Sequence, residues 1–385
     1  MPSRAPALRR AFADARRVVV KVGSSSLTSS AGGAIDMLAV SRLVDLLARR
    51  RLDGHQVVLV SSGAIAAGIG PLGLKKRPRD LATQQAAASV GQGALIAAYQ
   101  HLFGIYGLTT GQVLLTADDV TRRAHYTNAQ RTLEKLLELG IVPIVNENDT
   151  VATEEIRYGD NDRLAARVAQ MLGADVLVLL SDIDGLYDAD PRSHPNASHI
   201  AEVRKLTPEI AAMAGGANAS AGVGSGGMST KIDAARIALT AGCSTLITLG
   251  ANATAEAGPL AALASGARGT WFLTDLSPET ARKQWLAGAL RPTGSVRVDA
   301  GAARALKTGK SLLAAGVTAV AGRFERGDAV DVTDPDGATI ARGVSAYSSE
   351  DATKLIGRKS DEFEAILGYR GRPALIHVDD MVLVG

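Results

Sequence analysis

Cysteine is almost absent from this chain. The one present in 385 residues, Cys243, rules out an intrachain disulfide framework and fits a reducing, cytoplasmic setting. It stands between an apolar helical stretch and a strand, which favours a packed small side chain over a nucleophile. Long apolar runs are also missing. No stretch approaches the ~18–20 residues of a membrane span, so no membrane partner is expected. Nor is one sign of charge in excess. The 42 Lys and Arg are interspersed with 39 Asp and Glu for a formal charge of +3, a balance that argues weakly for nucleic acid. Residues 1–16 carry Arg4, Arg9, Arg10 and Arg16 without a continuous apolar segment, so no secretory leader is read there. A frayed basic extension is favoured over an Arg-rich organellar transit peptide. No internal repeat is visible.

What remains is an ordinary globular composition, 46% apolar and 21% charged, long enough for about two domains of ~100–200 residues. From Arg17 the pattern alternates. Short β-branched runs at 18–22, 56–60, 112–115, 141–145, 176–180 and 245–249 are separated by helical stretches, including an Ala/Gln-rich one at about 81–103. Near-continuous Val/Ile/Leu strands between helices predict a largely parallel open sheet sandwiched by helices. Ligands of such sheets lie beyond the carboxyl ends of the strands. The polar residues collect there: Gly23-Ser-Ser, Ser61-Ser-Gly, Asn146-Glu-Asn-Asp149 and Ser181-Asp182.

Lys21 stands inside an otherwise apolar strand, where an unpartnered charge would be costly. An anionic ligand is its simplest partner, and a structural carboxylate is the alternative. Gly159-Asp-Asn161-Asp162 precedes a helical stretch. One N-cap needs one such residue, and the surplus suggests that Asn161 and Asp162 point into a ligand site. The run from Gly222 through Ser225-Gly226-Gly227-Met228-Ser229-Thr230-Lys231 leads into an amphipathic helix ended near Gly242. Glycines allow close backbone approach, and a helix N-terminus favours an anion. The run follows no buried strand, so it is not a dinucleotide fingerprint, and Lys231 follows its Ser-Thr, so it is not a Walker loop. Taken alone, a phosphate cradle and a flexible surface loop are evenly balanced.

Composition changes at 281–293, which reads as a linker between a domain at 17–280 and a small β-rich unit at 294–385. Short strand-like runs at 296–298, 317–320, 329–332, 339–341 and 375–377, with an Asp-Pro-Asp-Gly turn ending at Gly337, support that division.

The motifs Val-Val-Lys21-Val-Gly-Ser-Ser, Ser61-Ser-Gly-Ala-Ile-Ala-Ala-Gly, Asn-Glu-Asn-Asp149, Gly-Asp-Asn-Asp162, Leu-Ser-Asp182-Ile-Asp-Gly-Leu-Tyr and Gly-Gly-Met-Ser-Thr-Lys231 occur in an order that resembles the glutamate 5-kinases of the amino acid kinase family. The similarity covers essentially all of the chain after Arg17, and the tail looks like a PUA domain. Departures are small: Ser225 and Ser181 stand where threonine is common, and both keep the hydroxyl.

The resemblance implies phosphoryl transfer from ATP, with Mg²⁺, to the γ-carboxylate of L-glutamate. It implies that Lys21, Asp162 and Lys231 are catalytic, with Asp162 orienting the lysines, and that Ser61, Asp149 and Asn161 hold glutamate. Lys21, Ser181, Asp182 and the segment 225–231 would contact the nucleotide. Proline as inhibitor, a homo-oligomer (a tetramer), and a glutamyl phosphate reductase as functional partner are further implications. The alternatives are another family member of the acetylglutamate, carbamate or uridylate kinase type, or RNA binding by the tail. Modest basic content at Arg323, Arg326 and Arg342 favours a structural or regulatory tail over an RNA-binding one.

Overall fold

In a computed structural model, residues 12–28, 34–152, 161–214, 227–250, 268–288 and 291–384 are described. The chain divides into two compact units, the first made of residues 1–121 and 128–278. Its strands are β1 (Arg17–Val22), β2 (Gln56–Ser61), β3 (Thr110–Leu115), β4 (Val142–Glu147) and β5 (Val176–Ser181). A small hairpin of β6 (Leu186–Tyr187) and β7 (His199–Ile200) follows, then β8 (Glu202–Val203), β9 (Ser244–Leu249) and β10 (Gly269–Phe272).

One eight-stranded sheet runs in the order β3-β4-β2-β1-β5-β9-β10-β8. The six strands from β3 to β9 are parallel, and β10 turns antiparallel against β9. The short strands β10 and, at the edge, β8 are too brief to show a sequence period. The parallel runs inside the sheet are legible because they are buried on both faces, whereas edge strand β3 is mostly part-buried. Val18, Val20 and Val22 of β1 pack with Val57, Leu59, Val176 and Val178 beneath helices Met37–Leu52 and Leu81–Ile105. By the pleat, Val19 and Lys21 face the opposite side, where helices Asn161–Leu172 and Met228–Thr240 lie.

The order reverses at β1. The chain steps from β1 to β2 in one direction and later crosses to β5 on the other side of β1. Ligand crevices of open α/β sheets form at such a switch point, beyond the strand carboxyl ends. Here those ends are Val22-Gly23, Ser61-Ser62 and Ser181-Asp182.

Two features of the chain differ from the sequence reading. Order begins before Arg17: Phe12 and Ala15 are buried in the core. Arg50 fixes them, donating to the carbonyls of Phe12 at 2.8 Å and Ala15 at 2.6 Å, with its guanidinium 4.5 Å above the Phe12 ring. One aromatic in a basic stretch gives no periodic signal. The segment read as a linker is largely helix Pro278–Gly288.

Helices Ala64–Ile69 and Leu81–Ile105 meet backbone to backbone. A Cβ at Gly91 would stand 1.8 Å from the Ala64 carbonyl oxygen, and one at Gly68 1.9 Å from that of Ala87. No side chain fits either place.

The second unit, residues 122–127 and 279–385, contains β11 (Gly294–Val298), β12 (Leu312–Leu313), β13 (Val317–Gly322), β14 (Ala329–Thr333), β15 (Thr339–Val344), β16 (Ala374–Ile376) and β17 (Met381–Leu383). Five form a sheet ordered β13-β11-β14-β15-β17, and β12 pairs with β16. Val296, Val330, Val332, Phe324, Tyr347 and Phe363 fill a core of its own. Arg342 pairs with Asp331 at 2.8 Å across the β14–β15 ladder. An arginine held by a cross-strand carboxylate is a sheet contact before it is a nucleic-acid contact.

Gly91→Ala is expected to lower the unfolding free energy by about 1–3 kcal/mol through overpacking. Gly93→Ala, in the same helix but with open space around its Cβ, should raise it by up to about 1 kcal/mol. Urea denaturation of the two variants checks the contrast.

Candidate active site

Asp162 is the centre of a buried charge cluster at the switch point. Helix Asn161–Leu172 places it in the first turn, fully buried at 0% exposure, where a carboxylate suits the helix dipole. The Lys21 ammonium lies 2.6 Å from its Oδ1 and the Lys231 ammonium 3.0 Å from its Oδ2. Both lysines are themselves buried, at 5% and 4%. Thr230 Oγ1 stands 3.5 Å from the same Oδ2 and donates to the Gly227 carbonyl at 2.7 Å. Burial works against the charge of Asp162, but the Lys21 and then the Lys231 ammonium outweigh it and hold its carboxyl down at about 2. The sequence left Lys21 between an anionic ligand and a structural carboxylate. The structure supplies the carboxylate, and the same carboxylate also holds Lys231.

Three elements deliver this trio. Lys21 is the penultimate residue of β1. Lys231 lies in the first turn of helix Met228–Thr240, whose end at Gly242 adopts a left-handed φ of +73°. Gly23 follows β1, and a Cβ there would sit 3.9 Å from Lys21 Nζ. Its lack of a side chain leaves the ammonium approachable.

Asn161 heads the helix instead of preceding it, and its side chain turns towards the β2 and β4 ends. Its Nδ2 donates to Asn146 Oδ1 at 2.7 Å, Ser62 Oγ at 2.9 Å and the Ser61 carbonyl at 3.3 Å. Asn146 Nδ2 in turn donates to Gln92 Oε1 at 2.7 Å. Ser61 is buried, with its Oγ 2.9 Å from the Tyr99 hydroxyl. Asp149 lies half-buried in the turn after β4. The structure therefore gathers Ser61, Asn161 and Asn146 in one polar cluster next to the lysines. Gln92 and Tyr99 join it from helix Leu81–Ile105, although the sequence reading assigned them nothing. Their only sequence signal is polar side chains at heptad spacing, Gln85, Gln92 and Tyr99, along one side of an otherwise alanine-rich helix.

On the other side of β1, Ser181 ends β5 and donates to Asp182 Oδ1 at 3.1 Å. Asp182 Oδ2 receives Arg192 at 2.7 Å. Partial burial raises this carboxyl and the Arg192 and Ser181 hydrogen bonds lower it, with a net shift downwards. Asp182, Ile183, Asp184, Pro191, Arg192 and Leu249 line a depression beside the strand end. Gly227, Met228, Ser229 and Thr230 open the Lys231 helix, whereas Ser225, Gly226 and residues 159–160 lie outside the described residues.

The amino acid kinase family model matches residues 16–248 and the PUA domain model residues 294–367. The chain is 55% identical over 373 residues to a glutamate 5-kinase of Caulobacter vibrioides, covering 97% of this chain and 98% of that one. It is 53% identical over 374 residues to a glutamate 5-kinase of Paramagnetospirillum magneticum, covering 97% and 99%. A glutamate 5-kinase of Streptomyces coelicolor is 52% identical over 377 residues, covering 98% of each. The chain belongs to the amino acid kinase family. Within that family its full-length relatives are glutamate 5-kinases, and its tail is a PUA domain.

Asp162→Asn should destabilise the fold by about 3–5 kcal/mol, because two buried ammonium groups lose their shared counter-charge. A carboxyl depressed on folding contributes stability that is present above its unfolded value near ~3.9 and is lost as pH falls through about 2. The stability gap between wild type and Asp162→Asn should therefore be constant from pH 7 to about 5 and close as pH falls from about 4 towards 2. Denaturant titrations across that range measure it.

Proposed function

We propose that the protein transfers the terminal phosphoryl group of ATP to the γ-carboxylate of L-glutamate, forming L-glutamyl 5-phosphate for proline biosynthesis. Two buried lysines held on Asp162 at the sheet's switch point carry this reading, and the full-length similarity to glutamate 5-kinases supports the choice of acceptor. A carboxylate is already an anion at neutral pH, so the nucleophile needs no general base. Its difficulty is approaching a triphosphate of the same sign. Such transfers are catalysed chiefly by positioning and by charge stabilisation.

In this reading Lys21 and Lys231 bind phosphate oxygens. Each ammonium about 4 Å from the developing charge is worth up to ~4 kcal/mol at an effective dielectric near 20, before desolvation. Asp162 keeps the two cations side by side in the absence of nucleotide and orients them in its presence. Ser181, Asp182 and the segment 225–231 contact the nucleotide. Ser61, Asp149 and Asn161 hold glutamate, with Asp149 facing its ammonium group.

Mg²⁺ bound together with ATP would supply charge neutralisation to the phosphates, beside Lys21 and Lys231. No group of three acidic, histidine or cysteine side chains suited to a metal occurs among the described residues. Asp162 already faces an ammonium with each oxygen, which suits an ion carried by phosphate oxygens and water in place of a protein cage.

Proline as an inhibitor at the glutamate pocket, a tetrameric assembly and a glutamyl phosphate reductase that takes the labile acyl phosphate belong to the same proposal. So does a cytoplasmic location, which suits the single buried thiol of Cys243. No helix among the described residues is long and apolar enough to cross a membrane.

ADP release measured with glutamate, acetylglutamate, aspartate and UMP as acceptors tests the reading. Turnover should require glutamate, and a preference for acetylglutamate or UMP would replace it. In the same assay Lys231→Ala should lower kcat by about 100-fold or more with glutamate KM nearly unchanged, as expected for a charge that acts in the transition state. Asp149→Ala should chiefly raise glutamate KM.

A further inference from the structure

Asn146, Gln92 and Tyr99 stand behind the residues proposed to hold glutamate, and the hydrogen-bond polarity of each can be read from its partners. Asn146 Oδ1 accepts from the Glu147 backbone N–H at 2.9 Å. A backbone N–H can only donate, so this contact decides which way the Asn146 amide is turned. Its Nδ2 must then face helix Leu81–Ile105, where Gln92 Oε1 receives it at 2.7 Å. Asn161 meets Asn146 Oδ1 and the Ser61 carbonyl, two groups that only accept, so both contacts come from its Nδ2. With Ser62 Oγ also within 2.9 Å, the two N–H bonds of that amide are fully engaged. Its Oδ1 has no hydrogen-bond partner among the described residues. Asn161 therefore offers an acceptor to a ligand.

The same argument applies at Ser61. The Tyr99 hydroxyl is completely buried, and Ser61 Oγ is its one hydrogen-bond partner among the described residues. A buried phenol proton needs an acceptor, so Tyr99 donates to Ser61. The Ser61 proton points elsewhere, either to the Ser62 carbonyl at 3.2 Å or to a bound group. Ser61 therefore offers a donor.

We propose that Gln92 and Tyr99 are positioning residues of the acceptor site. Gln92, through Asn146, turns Asn161 so that it accepts from the substrate's ammonium group. Tyr99 turns Ser61 so that it donates to a carboxylate. The two lie seven residues apart on one helix, which serves as a template for an amino acid's opposite charges. This proposal rests on the glutamate reading above and assigns the polarity of that pocket.

Gln92→Leu and Tyr99→Phe are the variants, assayed for glutamate KM, ATP KM and kcat, with glutamate-induced thermal shift as a second readout. Each should raise glutamate KM about five- to tenfold, the loss of one well-placed hydrogen bond, with kcat and ATP KM within about twofold. The test of indirect action is non-additivity. Gln92→Leu should add nothing further to glutamate affinity in an Asn161→Ala background, nor should Tyr99→Phe in Ser61→Ala. Full multiplicative effects in those backgrounds, or kcat falling in step with affinity, would overturn the proposal. Wild-type turnover and thermal shift with glutamate in the same plates decide the underlying reading separately.

Discussion

Two lysines from opposite ends of the first unit meet one buried carboxylate, and the surrounding architecture follows from that requirement. Lys21 is one residue from the end of a central strand, and Lys231 lies in the first turn of a helix more than two hundred residues later. Burying either ammonium alone would be strongly unfavourable. Asp162 makes the burial tolerable for both, and it reaches them only because the crossover from β4 to β5 carries its helix over β1. The carboxylate pairs both lysines without any ligand, so in the proposed reading phosphate oxygens would compete with it for the two ammonium groups.

The division of labour on either side of β1 follows from the same topology. Strand β2 and the β4 end bring hydroxyls and amides, groups that recognise a small polar acceptor. Strand β5 and the Lys231 helix bring a serine, an acidic residue and a helix N-terminus, groups suited to a nucleotide. The reversal of strand order at β1 separates the two sets by the width of a strand, which suits the proposed approach of an acceptor and a phosphate donor to the lysines from opposite sides.

Legibility in the sequence tracked the kind of constraint each residue obeys. Strands buried on both faces must be apolar throughout, so β1, β2, β4, β5 and β9 stood out, and Lys21 stood out as the exception within one. Strand-end clusters such as Asn146 to Asp149 were visible because polar residues concentrate there in one local run. Gln92 and Tyr99 were not, because their partners Asn146 and Ser61 lie 54 and 38 residues away, and heptad spacing alone does not single out polar residues in an Ala/Gln-rich helix. Phe12 escaped for a similar reason: its place in the core depends on Arg50, which reads as a solvated helix residue until the fold brings the two together. Residues 281–293 read as a linker from their change of composition, yet 281–288 continue a helix that starts at Pro278, ahead of that change.

The small residues of the helical hairpin complete the account of the acceptor side. Helix Ala64–Ile69 begins immediately after Ser61-Ser62-Gly63, whose glycine takes a left-handed φ of +103°. Gly68 and Gly91 then bring that helix into direct backbone contact with helix Leu81–Ile105. Gln92 is adjacent to Gly91, and Tyr99 lies eight residues on, about 12 Å along the axis. A wider spacing would lift Tyr99 away from Ser61 and Gln92 away from Asn146, and each hydrogen bond tolerates only a few tenths of an ångström. The glycines thus set the registration of the polar pocket as well as the packing of two helices, so a substitution that merely loosens the hairpin would also alter which atoms the pocket presents.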